Sequence, residues 1–158
     1  MRIILRTLVA LAVIGCAGSY ANPIRIRAPF IESEYAPFRE PGSGSISGAV
    51  ALNGAEGGAG RTVYLDPATT YSAEWFDQMV RGHGVNYMAP VDGRFLSYRR
   101  AAVADGSGRF EFRELPAGEY FLTCDLWTDR VVIRTGGFAH ARVMLYEGDR
   151  LENVVVAR

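Results

Sequence analysis

The stretch Asp105–Tyr120, DGSGRFEFRELPAGEY, constrains the fold of this chain more than any other. DGSG supplies a hairpin turn, because its glycines take the positive φ that such turns need. From Arg109 to Arg113, charged residues alternate with Phe110 and Phe112. That is the period of a strand with one face buried. Pro116, Ala117 and Gly118 turn the chain again, and Tyr120, Leu122, Cys124 and Leu126 then share one face of a second strand.

The rest of the chain repeats this grammar. Ile46, Gly48, Val50 and Leu52 alternate as a first strand, followed by a glycine-rich turn over residues 53–60. Val63 and Leu65 mark the next strand, stopped by Pro67, and Ala101 and Val103 precede the DGSG turn. Val131 and Ile133, Phe138 to Tyr146, and Val154 to Val156 supply more short strands, separated by Gly136-Gly137 and Glu147-Gly148-Asp149. Regular short strands with glycine turns predict an all-β chain folded as a single β-sandwich.

The pattern D-x-x-G-x-F-x-F-x-x-L-P-A-G-x-Y, read over Asp105–Tyr120, resembles the signature of carboxypeptidase regulatory-like domains. These are transthyretin-like sandwiches that serve as accessory domains in many bacterial surface and periplasmic proteins, so the resemblance implies a Greek-key β-sandwich of about seven strands. The resemblance extends more weakly from SISGAVAL, at Ser45, to the C-terminus. It implies a usually non-catalytic domain, and so speaks to fold more than to function. A sandwich of this kind predicts Tyr120 as a tyrosine corner, its ring inside and its hydroxyl bonded to upstream backbone. Gly118 is expected at positive φ.

The N-terminus carries a second signal. Arg2 and Arg6 precede a short apolar run, Thr7–Ile14, too short to span a bilayer as a helix. The run ends in Val13-Ile14-Gly15-Cys16, which resembles a bacterial lipobox, with valine where leucine is commonest. Gly15 is small enough for a peptidase pocket, and the Cys16 thiol can accept a diacylglyceryl group. Two or more acyl chains hold a protein stably, where one does so marginally. Residues 1–15 thus read as a lipoprotein signal peptide, 16–44 as a lipidated N-terminus and flexible tether, and 45–158 as the β-sandwich domain. Ala17, rather than aspartate, after the cysteine points to the outer membrane by resemblance to enterobacterial sorting. The alternative is a secreted, unlipidated module cleaved after Ala21, since Ser19-Tyr20-Ala21 has the small residues that cleavage needs. The tether holds Pro23, Pro29, Pro37 and Pro41, and its Ile24, Ile26, Phe30 and Phe38 are candidates to dock on the sandwich or on a partner.

Composition narrows the partners. Removing residues 1–15 from 158 leaves 143, enough for one domain with one core. Without Arg2 and Arg6, the 17 basic residues fall to 15 against 17 acidic ones, a balance of −2 that argues against nucleic acid. Every basic residue is an arginine, which a GC-rich genome explains more simply than a phosphate site. Cys16 and Cys124 are the only cysteines, so Cys124 has no disulfide partner once Cys16 is modified or removed. Its place on the Tyr120 face makes it a small buried hydrophobe.

Residues 68–97 are the most individual segment, read as a long inter-strand insertion. Ser72 is expected to cap a short helix through Gln78, with Trp75, Phe76 and Met79 on its apolar face. RGHGVNYMAPVDGRF then reads as loop. The helix reads first as a lid on the open end of the sandwich, with its aromatics buried. The sharper reading makes Tyr71, Trp75 and Tyr87 a platform for a glycan or peptide, because long connections often carry function.

Common zinc and hydrolase motifs are absent from the sequence. His83 and His140 are the only histidines, and no His-x-x-x-His, Cys-x-x-Cys or Gly-x-Ser-x-Gly occurs. The Asp105 turn resembles a calcium loop, but too few carboxylates follow it. Intradiol dioxygenases share the Gly-x-Phe-x-Phe region, yet their iron-binding histidines lie two positions apart and these lie 57 apart. Transthyretin-like hydroxyisourate hydrolases end in a tyrosine-bearing motif, while this chain ends VVVAR. The reading is a membrane-anchored, non-catalytic binding or structural domain of the cell envelope, with no cofactor and no metal. Its partners would be the membrane through Cys16 and an envelope protein or glycan. A small enzyme on the same fold is the alternative.

Overall fold

The computed structural model describes residues 25–52, 55–56, 58–81, 91–126, 128–129, 134–135 and 138–157. Cys16, His83, Tyr87, Val131 and Ile133 lie outside the described residues. A short helix, α1 (Glu32–Tyr35), and a 3-10 turn lead into β1 (Gly44–Leu52), β2 (Ala55–Glu56) and β3 (Thr62–Pro67). Two helices follow, α2 (Thr70–Arg81) and α3 (Gly93–Tyr98). The strands resume as β4 (Arg100–Val103), β5 (Arg109–Leu115), β6 (Gly118–Asp125), β7 (Thr128–Asp129), β8 (Arg134–Thr135), β9 (Phe138–Leu145) and β10 (Arg150–Ala157).

The all-β expectation holds, but the strands form one sheet where two were expected. Eight strands follow the path β1-β10-β9-β6-β3-β4, with β2 and β5 both pairing β1, and β7 with β8 forms a separate hairpin. β1 runs parallel to β10 and antiparallel to β5. A single residue pair, Ala157 with His140, joins β10 to β9, so the sheet turns sharply there yet stays continuous. At its far ends, Arg100 Nη1 donates to the carbonyls of Arg113 and Glu114 at 3.1 and 3.2 Å. That guanidinium spans the seam between β4 and β5, and the sheet is nearly a barrel.

The core fills the inside of this curl. Ile46 and Val50 of β1, Val63 and Leu65 of β3, Phe110, Phe112 and Leu115 of β5, and Val156 of β10 meet the Tyr120-Leu122-Cys124 face of β6. The Tyr120 hydroxyl donates to Pro116 O at 2.8 Å, the corner bond expected of it. Gly118 has φ of 155°, and a Cβ there would stand 2.6 Å from the Phe38 ring. Burial pushes the Cys124 thiol up to about 11, so it is an inert core group.

One face of the sheet carries a second, aromatic core. Phe121 and Thr123 point away from the first core yet are also buried, and α2 lies over Phe121. Phe76 stacks on Phe121 with centroids 4.3 Å apart. Ser72 is not the cap of α2, which starts earlier. Thr69 Oγ1 accepts from Ser72 N at 3.2 Å, and Ser72 Oγ accepts from Thr69 N at 2.8 Å. This reciprocal pair satisfies two donors at the helix start and makes Thr69 the cap. The stretch read as loop ends in a further helix, α3, where Asp92 Oδ1 accepts from Arg94 N at 2.9 Å.

Residues 25–44 of the stretch read as tether include a strap over these helices. Tyr35 is 0% exposed, and Phe30 stacks on it at 4.5 Å. Carboxylates fasten the strap both ways. Glu34 accepts from Thr70 N and Thr70 Oγ1, both at 2.7 Å, while Glu74 Oε2 accepts from Arg27 N and Ala28 N at 2.9 and 2.6 Å. The strap therefore completes the start of α2 from outside the helix.

Candidate functional site

The structure brings Tyr71 and Trp75 together inside the aromatic core, with Tyr35, Phe95 and Phe138. Trp75 is 7% exposed and Tyr71 is similarly buried. Tyr71 Oη accepts from Asp92 N at 2.8 Å and so fixes the start of α3. Trp75 walls an ion pair. The Arg99 guanidinium lies 4.6 Å from the Trp75 ring and 5.0 Å from Tyr64 and Phe95, and it donates to both oxygens of Asp66 at 2.8 and 2.9 Å. Burial raises the Asp66 carboxyl and the Arg99 bonds oppose it. These residues hold helices onto sheet, and Tyr87, their expected companion, lies outside the described residues.

The same outward side of the sheet, where it passes over β5, β1 and β10, carries no helix among the described residues. Along its middle strand stand Ser45 and Ser47, and long charged side chains rise on both sides. The result is an open trough of about 380 Å³, lined by Ser43, Gly44, Ser45 and Ser47, by Glu111, Arg113 and Glu114 of β5, and by Arg150 and Glu152 of β10. Short residues make its floor and long ones its walls. A second hollow continues from it across Ser47 and Glu111 toward Val103 and Asp105.

Two β-bulges bracket this trough, one in each neighbour of β1. Gly44 pairs Leu115 and Ile46 pairs Phe112, so Ser45 alone faces Arg113 and Glu114. On the other side Ile46 pairs Leu151 and Gly48 pairs Val154, so Ser47 alone faces Glu152 and Asn153. Each bulge contains a non-glycine residue in the left-handed region, Glu114 at φ 55° and Asn153 at φ 59°. Among the described residues these are the non-glycine positions with positive φ. Such conformations cost about 1–3 kcal/mol and cluster at functional sites, and bulges re-aim side chains. Gly48 permits the second bulge, since a Cβ there would stand 1.9 Å from Val154 O.

Charges in the trough are mixed. Arg113 donates from Nε and Nη2 to the two oxygens of Glu111, each at 2.8 Å, which holds the Glu111 carboxyl below its ordinary value. Three carboxylates and two guanidinium groups thus line a floor of hydroxyls. Carboxylates accept hydrogen bonds, guanidinium groups donate them, and serines do both. Among the described residues no cluster of histidine, cysteine or carboxylate side chains could hold a metal ion.

Sequence reading missed this site, although its signal is present. Strict alternation breaks at Phe112-x-x-Leu115 and at Leu151-x-x-Val154, where two consecutive residues face solvent. An apolar spacing of three within a strand of period two is what a bulge leaves behind.

No protein-family model and no curated protein matches the chain. Among solved structures it is similar to a crystal structure from Pseudomonas aeruginosa of a protein proposed to bind carbohydrate. The two are 26% identical with a TM-score of 0.67, over 83% of this chain and 99% of that one.

Proposed function

We propose that this chain is a non-catalytic, carbohydrate-binding domain of the bacterial cell envelope, a carboxypeptidase regulatory-like module held to the outer membrane by acyl chains on Cys16. The observation that carries the binding reading is the trough on β5, β1 and β10, kept open by two bulges at positions of positive φ. Glycans offer rows of hydroxyls, each both donor and acceptor. The carboxylate oxygens, planar guanidinium groups and serine hydroxyls of the trough complement them in forked geometry. Similarity to a protein proposed to bind carbohydrate supports the same ligand class. The signature residues Phe110, Phe112, Leu115 and Tyr120 all lie in the main core, which supports the family reading.

Binding is tested by calorimetry of the full chain in detergent against neutral and acidic oligosaccharides. Arg150→Ala is expected to weaken a wild-type ligand without moving the unfolding midpoint. Unaltered affinity would remove the trough from the site. The membrane reading rests on Cys16 and is tested in a Gram-negative host. Wild-type protein should take up labelled fatty acid and resist salt washing, and Cys16→Ala should do neither. A mature chain beginning Asn22-Pro23-Ile24 would instead establish the secreted module cleaved after Ala21.

A further inference from the structure

The large apolar side chains that stand exposed among the described residues include one aromatic ring, Tyr146, at 68% exposure. It opens the turn between β9 and β10, and that turn is fastened to the end of the trough. Tyr146 N donates to Asp149 Oδ2 at 3.0 Å and Asp149 N donates back to Tyr146 O at 3.1 Å. Ser45 N donates to Asp149 O at 2.9 Å, and Ser43 Oγ donates to Glu147 Oε1 at 2.6 Å. Ser43 and Ser45 both line the trough, as does Arg150, the residue that follows the turn. The turn that carries this exposed ring is therefore tied by four hydrogen bonds at the end of a polar groove. Exposing such a ring forgoes the stabilisation that burial gives an aromatic side chain.

We propose that Tyr146 is the stacking residue of the trough and that the ligand is a neutral pyranose glycan, an inference that rests on the carbohydrate reading above. A pyranose has two unlike surfaces. Its C–H groups form an apolar face whose slightly positive hydrogens suit the negative face of an aromatic ring. Its hydroxyls project at the edge. With the ring face on Tyr146, those hydroxyls meet Ser43, Ser45 and Arg150. The lining holds three carboxylates to two guanidinium groups, so it offers an acidic polysaccharide no net attraction. The four hydrogen bonds keep the turn in place before the ligand arrives, which lowers the ordering cost of binding.

The test is calorimetry of the full chain in detergent with three probes: hexasaccharides of β-1,4-linked glucose, β-1,4-linked N-acetylglucosamine and α-1,4-linked glucose. Wild type should bind at least one of them. Tyr146→Ala should weaken that binding roughly fivefold to tenfold, and Tyr146→Phe should keep it within about twofold, because stacking uses the ring and not the hydroxyl. Neither variant should shift the unfolding midpoint. Wild-type affinity in Tyr146→Ala, with loss in Arg150→Ala, would overturn the stacking role and leave the trough standing. Loss in Tyr146→Ala with none in Arg150→Ala would overturn the trough and place the ligand elsewhere around the tyrosine. A wild-type chain that binds none of the probes overturns both.

Discussion

Two regions of the outside of this sheet have opposite fates. Over Phe121 of β6 and Phe138 of β9 the outside is buried like the inside. Phe76, Trp75, Phe95, Tyr35 and Phe30 make a second core, sealed by the strap and by Glu34 and Glu74. Over β5, β1 and β10 the outside is bare, floored with serine and walled with charge. Aromatic residues concentrate on the face where they look most like a binding platform, yet there Tyr71 and Trp75 are buried. The face that keeps strained backbone is the one without them, and its one nearby ring, Tyr146, belongs to the turn at its rim. On the proposed function, backbone strain rather than aromatic content marks where the domain binds.

The largest effects should fall on the covered face. Trp75→Ala removes a side chain from a packed aromatic core and should cost about 3–5 kcal/mol in urea unfolding. Glycan affinity of the molecules still folded should stay at the wild-type value. Arg99→Met should cost a similar amount, about 3–5 kcal/mol at neutral pH, because it leaves the Asp66 carboxylate buried and alone. Its pH dependence has a definite sign. Burial raises the folded-state value of Asp66, and the variant lacks the bonds that oppose it. The folded state then binds the proton more tightly than the unfolded state, so stability falls as pH rises from the unfolded value through the folded one. The deficit of Arg99→Met should therefore shrink toward pH 4 and be complete above the raised value, as read from midpoints measured between about pH 4 and pH 8.

Much of the inner core and part of the covered face could be read in the sequence, and the bare face could not. Phe110, Phe112 and the Tyr120-Leu122-Cys124 row stand in the core as their alternation requires. The buried aromatics expected of α2 match the burial of Trp75, because aromatics at helical spacing carry their own signal, but the helix lies over the outside of β6 and not on an open end. Thr69 went unread as the cap because Ser72 is an equally good cap residue, and only geometry shows that the two form a reciprocal pair. The fit of the strap depends on contacts from Glu34 to Thr70 and from Glu74 to Ala28, distant in sequence and silent in any local pattern. The single sheet escaped notice because one residue pair, Ala157 with His140, separates a curled sheet from a sandwich. The trough was legible only as two interruptions of alternation, and no charge or aromatic motif marks it.

Smaller effects sharpen the contrast. Glu34→Ala strips an outside acceptor from the start of α2 and should cost about 1 kcal/mol, comparable to loss of an ordinary helix cap. Chemical unfolding of the full chain in detergent would show it, and an unchanged midpoint would mean that the strap rests on α2 without holding it. On the bare face the sign should reverse. Glu114→Gly replaces a strained left-handed residue by one that adopts φ 55° freely. Stability should hold or rise by a few tenths of a kcal/mol, because relief of strain outweighs the added freedom of the unfolded chain. Glycan affinity should fall, since the glutamate side chain leaves the trough wall.

The most direct measurement is to map amide chemical shifts of the isotope-labelled full chain in detergent as a bound neutral hexasaccharide is added. Binding at the bulged face should move the signals of Ser43–Ser47, Glu111–Glu114, Tyr146 and Arg150–Glu152, and leave those of α2 and α3 in place. Shifts confined to Thr70–Arg81 and Gly93–Tyr98 would contradict it and return the binding role to the aromatic face.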